Sequence, residues 1–186
     1  MRVVILMLTL SLSLAASAKN LHLLDRHENG YALWRSGQPT ANEFAEWCML
    51  GITKVVVLSG NAAKVEQVFA PSCPTIEVIY NQKQDERKPL RASFLRWFDE
   101  LVGTAKDEGT QVLFRCLCGC HRTGRLAAYY QMKYQDVSVD KALEVMEEYG
   151  DYMWLFPNLD EQVRALHDYI EGNECSQKTS LCVIQD

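Results

Sequence analysis

The sequence lacks low-complexity tracts and internal repeats, which argues against a fibrous or solenoid architecture. It also lacks an excess of basic residues, because 19 Lys and Arg stand against 24 Asp and Glu and the formal net charge is −5. That balance argues against a dedicated nucleic-acid-binding protein. Beyond residue 18, no apolar run is long enough to span a membrane. We therefore expect neither a nucleic-acid nor a membrane partner.

The first 18 residues have the pattern of a cleavable secretory signal. Arg2 provides a positive start, residues 3–14 are mostly Val, Leu, Ile and Met, and residues 16–18 have the small-x-small pattern of a cleavage site. No cysteine lies near this cut, which argues against a lipid anchor. We predict that residues 1–18 are removed and that the protein is periplasmic or secreted. The alternative is an apolar N-terminal helix packed on the domain.

Residues 19–186 suit a single domain, because 48% of the chain is apolar and 10% is aromatic. Thr40 with Glu43 has capping-box spacing, and Asn158 with Glu161 is a second candidate cap. Patterning predicts strands over residues 31–35, 53–58, 75–80 and 111–114, and helices over residues 40–49, 61–69, 90–105, 123–134, 139–149 and 159–170. This alternation predicts an α/β fold with a central, mostly parallel sheet flanked by helices.

The chain contains seven cysteines, an odd number. If the protein is exported, some of them meet an oxidising environment and pair. Cys175 and Cys182 flank a short polar segment and are the best local candidates, and Cys48 with Cys73 is a second possible pair. At least one thiol is left over. The remaining three are clustered at Cys116, Cys118 and Cys120.

The clustered cysteines lie where a predicted buried strand ends and a helix begins. Backbone N–H groups of such a glycine-containing loop point inward and the helix dipole adds positive charge, so the loop forms an anion cradle. Arg122 at the helix start has the donor fork to hold two phosphate oxygens. Cys116 lies in the same positive field, so we expect its pKa to be lowered into the range of about 3.5–7.5. A thiolate below a bound phosphate is placed to attack phosphorus.

These residues resemble the signature of the cysteine-dependent protein-tyrosine-phosphatase superfamily: Cys, five residues, Arg, then Ser or Thr. Cys116, Arg122 and Thr123 match it, whereas Cys118 and Cys120 lie too close to Arg122. The resemblance implies a phosphatase-type fold, with the phosphate loop, defined here as residues 116–122, between a strand and a helix. It also implies cofactor-free, metal-independent hydrolysis of phosphomonoesters through a phosphocysteine. The residues expected to bind phosphate are Leu117, Cys118, Gly119, Cys120 and His121.

Two other interpretations of the cysteine cluster remain open. A metal site would use the three cysteines with His121, but their spacing is too tight for an ordinary structural zinc site, so we predict no metal. A redox cluster is the second alternative, and Cys118 or Cys120 could form a reversible disulfide with Cys116. The superfamily usually has His before the nucleophile, where this chain has the cationic Arg115.

Cleavage of a phosphate ester needs a proton for the leaving oxygen. The superfamily supplies it from an Asp on a mobile loop about thirty residues before the nucleophile. Asp85 lies at that distance from Cys116 and is the predicted general acid, with the neighbouring Glu86 as the alternative. The resemblance also implies that the Thr123 hydroxyl lies near the Cys116 sulfur and assists its departure.

Cations are concentrated in the region of the predicted acid and around the phosphate loop, two segments that we expect to meet at the site. Clustered cations favour a substrate with several phosphates. The predicted substrate-binding residues are Lys83, Arg87, Lys88, Arg115 and Arg125. Residues 34–39 and 121–124 resemble small atypical dual-specificity phosphatases, and some relatives of that group cleave inositol polyphosphates. Our first hypothesis is therefore a phosphatase of a polyanionic small molecule such as phytate. The alternatives are a phosphotyrosine or dual-specificity protein phosphatase and a non-catalytic phosphate-binding or redox module.

Overall fold

The computed structural model describes residues 20–150 and 153–186, so the predicted secretory signal lies outside the described residues. Within them, five strands form one sheet in the order β1-β2-β5-β3-β4. β1 pairs antiparallel with β2, and the other three pairings are parallel, which confirms the mostly parallel sheet. The strands are β1 (His22–Arg26), β2 (Ala32–Ser36), β3 (Lys54–Val57), β4 (Glu77–Asn81) and β5 (Gln111–Arg115).

Helices occupy the predicted regions, with shifted ends. They are α1 (Ala41–Met49), α2 (Glu66–Phe69), α3 (Ala92–Glu108), α4 (His121–Tyr134), α5 (Val139–Glu148) and α6 (Leu159–Glu171), and short 3₁₀ turns lie between some of them. The capping box at Thr40 and Glu43 is confirmed, because each residue's side chain bonds the other's backbone N–H. Asn158 stands at the predicted N-cap of α6, but its side chain makes no capping hydrogen bond.

The sheet separates two apolar clusters. On one side, Phe98 of α3 and Tyr129 of α4 pack near Phe114 of β5. On the other, Phe44 and Trp47 of α1 lie in the cluster that contains Leu113 of β5. Leu113 and Phe114, which are neighbours in β5, thus pack into opposite clusters, because successive side chains of a strand point to opposite faces of the sheet. Helices on both faces bury this central strand and fix the position of its carboxyl end.

Three parallel strands bring their carboxyl ends to one edge of the sheet. Ser36 of β2 and Val57 of β3 both lie in register with Arg115, the last residue of β5. The phosphate loop follows Arg115 directly and leads into α4. Chemistry-bearing residues are expected at this edge, because ligands of such sheets bind beyond the carboxyl ends of the strands.

Two disulfides lie away from the phosphate loop. Cys48 bonds Cys73, and Cys175 bonds Cys182, which confirms both predicted pairs. The three clustered cysteines are outside disulfides. Among the described residues, the structure contains no helix with the length and apolar character needed to cross a membrane.

Candidate active site

The phosphate loop is tightly packed at the carboxyl edge of the sheet. The side chain of Cys116 is buried, and α4 begins at His121, two residues earlier than predicted. Gly119 has a φ of +77°, and a Cβ there would lie 2.7 Å from the backbone nitrogen of Gly37. The N–H of Gln38 donates to the carbonyl of Leu117 at 2.9 Å. The turn after β2 therefore supports the loop, and only glycine fits at position 119 without strain.

Arg35, a residue that the sequence interpretation missed, lies beneath the phosphate loop. Its side chain is fully buried, and its Nη2 donates to the carbonyl oxygen of Gly119 at 2.6 Å. The guanidinium also lies over the ring of Tyr149, 4.5 Å from its centroid. Burial lowers the pKa of Arg35 to about 10, and the three loop cysteines are among the groups that oppose this change. The sequence feature that could have identified Arg35 is its position at the end of a parallel strand, just before a Ser-Gly turn.

Thr123 lies where its predicted role requires. Its hydroxyl and its backbone N–H both donate to the Cys116 sulfur, and the hydroxyl oxygen also lies 3.4 Å from the carbonyl oxygen of Ser36. These two donors favour the thiolate and so lower the pKa of Cys116.

The net change at Cys116 is in the other direction, which corrects the predicted low pKa. The hydrogen bond with Cys118, followed by burial, raises the pKa of the Cys116 thiol to about 12. Arg115, the cation that stands where the superfamily has His, is paired with Glu66. The thiol form is therefore favoured, and the reaction depends on the groups that stabilise the thiolate.

Arg115 is fully buried in an ion pair with Glu66 of α2, whose side chain is also buried. Its Nε donates to Glu66 Oε1 at 2.6 Å, and its Nη1 donates to Ser59 Oγ at 2.7 Å and to Asn61 Oδ1 at 2.8 Å. The prediction that Arg115 contacts substrate is corrected, because its donors are already used inside the protein. Its role in the fold is to fasten α2 to the end of β5.

Arg125 is also buried, and it holds the segment that carries the candidate acids, defined here as the acid segment, residues 83–88. Its Nη1 donates to the carbonyl of Lys88 at 2.6 Å and also to the Gln162 amide oxygen. Its Nη2 donates to the carbonyl of Asp85 at 3.2 Å. The predicted substrate contact of Arg125 is thus corrected: the side chain positions the acid segment against α4.

The two candidate acids have different surroundings. Asp85 Oδ1 accepts a hydrogen bond from the backbone N–H of Arg87 at 2.9 Å. Glu86 Oε2 lies 3.6 Å from Nε of Arg122, the predicted phosphate ligand. Arg122 is itself anchored, because its Nη1 donates to the carbonyl of Leu58 at 3.3 Å. The structure therefore brings Glu86 to the phosphate-binding guanidinium.

The remaining predicted substrate cations, Lys83, Arg87 and Lys88, are exposed. Among the described residues, none of the ion pairs involves them. Lys83 and Lys88 line a cavity of about 390 Å³, which we name the basic cavity. Arg91 also lines it, Asp85 lies on its wall, and aromatic side chains contribute its apolar part: Tyr80, Phe94 and Trp97.

Apolar side chains near the loop were not expected from the sequence. Leu117 is 54% exposed and Trp154 is 76% exposed. Phe156 contacts His121 at the start of α4, with a centroid separation of 4.3 Å, and the guanidinium of Arg87 lies 5.9 Å from the Phe156 ring centroid. The segment that contains Trp154 and Phe156 thus lies between the phosphate loop and the acid segment.

Cys118 lies at the centre of contacts within the loop. Its sulfur accepts from the backbone N–H of Cys120 at 3.0 Å and lies 3.6 Å from Nδ1 of His121. Within residues 20–150 and 153–186, no three His, Cys, Asp or Glu side chains are grouped as ligands of one metal ion.

The sequence model of the family described as "Dual specificity phosphatase, catalytic domain" matches residues 40–169. Among solved structures, TpbA from P. aeruginosa is 24% identical with a TM-score of 0.60, and the match covers 75% of this chain and 86% of that one. The core catalytic domain of the PP-IP phosphatase SIW14 from S. cerevisiae is 19% identical with a TM-score of 0.59, over 87% and 89%. PTPMT1 in complex with PI(5)P is 13% identical with a TM-score of 0.61, over 82% and 97%. No curated protein matches.

Proposed function

Because the chain belongs to the dual specificity phosphatase family and is thus a cysteine-dependent phosphatase, we propose that it acts on polyanionic phosphate esters, foremost inositol polyphosphates such as phytate. We assign the nucleophile to Cys116 and the phosphate grip to Arg122 with the N–H groups of the phosphate loop. The basic cavity beside the acid segment is the observation that carries the choice of substrate.

The chemistry follows from the geometry of the loop. The Cys116 thiolate attacks phosphorus, a P–S bond forms, and the bond to the leaving alcohol breaks while an acid on the acid segment protonates that oxygen. Water then attacks the phosphocysteine, releasing phosphate and the thiolate, to which Thr123 donates. Arg122 and the loop N–H groups are assigned to the negative charge that develops, and Arg35 supports the loop by donating to the carbonyl of Gly119.

A second phosphate group of the substrate would be attracted by the cations of the basic cavity. Lys83, Lys88 and Arg91 line the basic cavity, whose wall includes Asp85 of the acid segment. Arg91 is the one of these that pairs with a carboxylate among the described residues, Asp186 at 3.7 Å. In a protein of net charge −5, a concave group of cations favours a polyanion by electrostatic attraction.

Phosphotyrosine is the second candidate substrate, favoured by the apolar residues near the loop. Leu117 and Trp154 present exposed apolar surface suited to an aromatic ring. TpbA, one of the structural relatives, has been solved in complex with pTyr. At this level of identity that relative supports the candidate without choosing between the two.

Phosphate release from inositol hexakisphosphate and from a phosphotyrosine peptide tests the proposal. We expect higher kcat/KM for the inositol compound, and Cys116→Ser should abolish both activities. Lys83→Gln with Lys88→Gln should lower kcat/KM for inositol hexakisphosphate by about tenfold or more, a change of about 1.4 kcal/mol. The same pair should leave phenyl phosphate nearly unaffected. Lys141→Gln on α5 is the control cation. Strong peptide turnover with no release from the inositol compound would refute the choice of substrate.

We also propose a periplasmic or secreted location. The two disulfides support it, because such bonds persist in oxidising compartments.

A further inference from the structure

The carboxyl of Glu86 lies beside Arg122 at the end of the phosphate loop. Its Oε2 lies 3.6 Å from Arg122 Nε, and both atoms are buried without a hydrogen-bond partner among the described residues. Arg122 is 8% exposed. A buried guanidinium nitrogen left without a hydrogen bond marks the position of an incoming anion, since such a group is costly to leave unpaired. The carboxyl of Glu86 therefore borders the phosphate position.

Asp85 is committed to the local backbone. Its side chain accepts from the N–H of Arg87 two residues on, the pattern of an Asx turn. Its carbonyl accepts from Arg125 and from the N–H of Lys88. These contacts make Asp85 the residue that shapes the acid segment, and they direct its carboxylate to the segment's own N–H groups.

We propose that Glu86, rather than Asp85, is the general acid of the reaction; this rests on the proposed function of Cys116 as nucleophile. The phosphate dianion takes over Arg122, and the Glu86 carboxyl carries the proton for the leaving oxygen. That proton passes to the leaving oxygen as the P–O bond breaks and the P–S bond forms. The resulting carboxylate accepts the proton of the water that cleaves the P–S bond, so the acid is regenerated.

Neighbouring residues fix the backbone of Glu86, while an adjacent cavity leaves its side chain free to rotate. Gln162 of α6 donates to the Glu86 carbonyl at 3.3 Å. The charged groups around the carboxyl are Arg122 and Arg125 of α4, with Asp85 beside it on its own segment. The cavity of about 200 Å³ between the acid segment and Phe156 gives room for the side chain to rotate.

The test uses two aryl phosphates that differ in the acidity of the leaving phenol. Phenol has a pKa of about 10, like the tyrosine side chain, and needs protonation; 4-nitrophenol is a stronger acid and needs it much less. Glu86→Gln should lower kcat/KM for phenyl phosphate, which reports the step that cleaves the P–O bond, by about 100-fold or more, within the range of general acid catalysis. Its kcat/KM for 4-nitrophenyl phosphate should fall by less than about tenfold. The descending, basic limb of the pH profile should disappear. Asp85→Asn is the competing variant and should leave the ratio between the two substrates unchanged.

Each outcome separates the inference from the proposed function. A purely structural role of Glu86 in holding Arg122 would weaken both substrates equally, mainly in KM, and would overturn the assignment. A change in the substrate ratio as large in Asp85→Asn as in Glu86→Gln would overturn it too. Retained hydrolysis in Cys116→Ser would instead refute the proposed nucleophile, whatever the Glu86 variants do.

Discussion

At the scale of single residues, the site uses one residue type for four different purposes. Arg35 supports the loop from below, Arg115 fastens α2, Arg122 faces the phosphate position and Arg125 holds the acid segment. Three of these four are at most 1% exposed, which separates them from a substrate-binding role. The spacing Cys-x₅-Arg singled out Arg122, which lies in the first turn of α4, and its role as phosphate ligand stays a prediction. The partner of Arg115 is Glu66, 49 residues away, and no local pattern reveals such a pairing.

Cys118 is the residue that contributes most to the raised pKa of Cys116. Since the hydrogen bond with Cys118 is the largest cause of the raised pKa of Cys116, Cys118→Ala should lower that pKa. The thiolate then forms at lower pH, so the midpoint of the iodoacetamide alkylation rate of Cys116 against pH should move to lower pH. At neutral pH, kcat/KM for 4-nitrophenyl phosphate should rise because the attacking species is the thiolate.

Cys120→Ala is the matched control for this prediction. Cys120 is another thiol of the same loop, and its sulfur donates to the backbone carbonyl of Cys118 at 3.5 Å. Its replacement should leave the alkylation midpoint near that of the wild type. An unchanged midpoint in Cys118→Ala, or an equal shift in both variants, would contradict the role assigned to Cys118.

At the scale of elements, local sequence patterns predicted most helices and strands. They did not predict the parts of the fold that form through contacts with distant residues. The capped helix α1 and the β-branched strand β3 follow from short-range signals, and both form. β1 (sequence HLLDR) shows no clean alternation, and it becomes a strand by pairing with β2. Helix α4 begins at His121 because the phosphate loop already turns into helical geometry there. The acid segment has no periodicity, and contacts to Arg125 and Gln162 position it.

Gly119 links the phosphate loop to the turn after β2, so its replacement tests the loop as an element. Gly119→Ala places a Cβ 2.7 Å from Gly37 N and 2.8 Å from Ser36 C, at a φ of +77°. Both contacts are to backbone, so the loop must shift, and a left-handed conformation costs about 1–2 kcal/mol in itself. We expect at least about a tenfold loss of kcat/KM together with weaker inhibition by inorganic phosphate.

Gly103→Ala gives the matched control, because it makes the same substitution at an exposed position inside α3. A Cβ there meets nothing within 4 Å. The change should stabilise the protein by up to about 1 kcal/mol in urea unfolding and leave kcat/KM unchanged. Wild-type activity in Gly119→Ala would show that the loop tolerates a side chain at this position.

At the scale of the whole molecule, the two disulfides join the chain at two separate places, one beside the core and one near the C-terminus. Cys48 at the end of α1 bonds Cys73 in the connection before β4. Cys175 and Cys182 close a small loop after α6. Beyond that loop, Ile184 bonds the backbone of Leu90 and Ala92 at the start of α3. The second disulfide therefore directs the tail to the wall of the basic cavity, which includes Ile184.

The two disulfides should differ in how much they stabilise the fold. The Cys48–Cys73 bond joins residues 25 apart and the Cys175–Cys182 bond joins residues 7 apart. A longer closed loop removes more entropy from the unfolded chain, so we expect about 3–4 kcal/mol from the first and about 2 kcal/mol from the second. Each is measured as the loss of unfolding free energy on adding reductant to the variant that keeps only that disulfide. These variants are Cys175→Ala with Cys182→Ala, and Cys48→Ala with Cys73→Ala.

Substrate turnover in the same two variants shows whether each disulfide affects only the stability of the fold or also the shape of the basic cavity. Because Ile184 lines the basic cavity, loss of the Cys175–Cys182 bond should weaken inositol hexakisphosphate turnover more than phenyl phosphate turnover. Loss of the Cys48–Cys73 bond should affect both substrates equally, since α1 packs on the opposite cluster from the cavity. A larger stability loss on reducing the short loop would contradict the loop-length argument. If each variant lowered the turnover of the two substrates equally, the C-terminal tail would have no role in shaping the basic cavity.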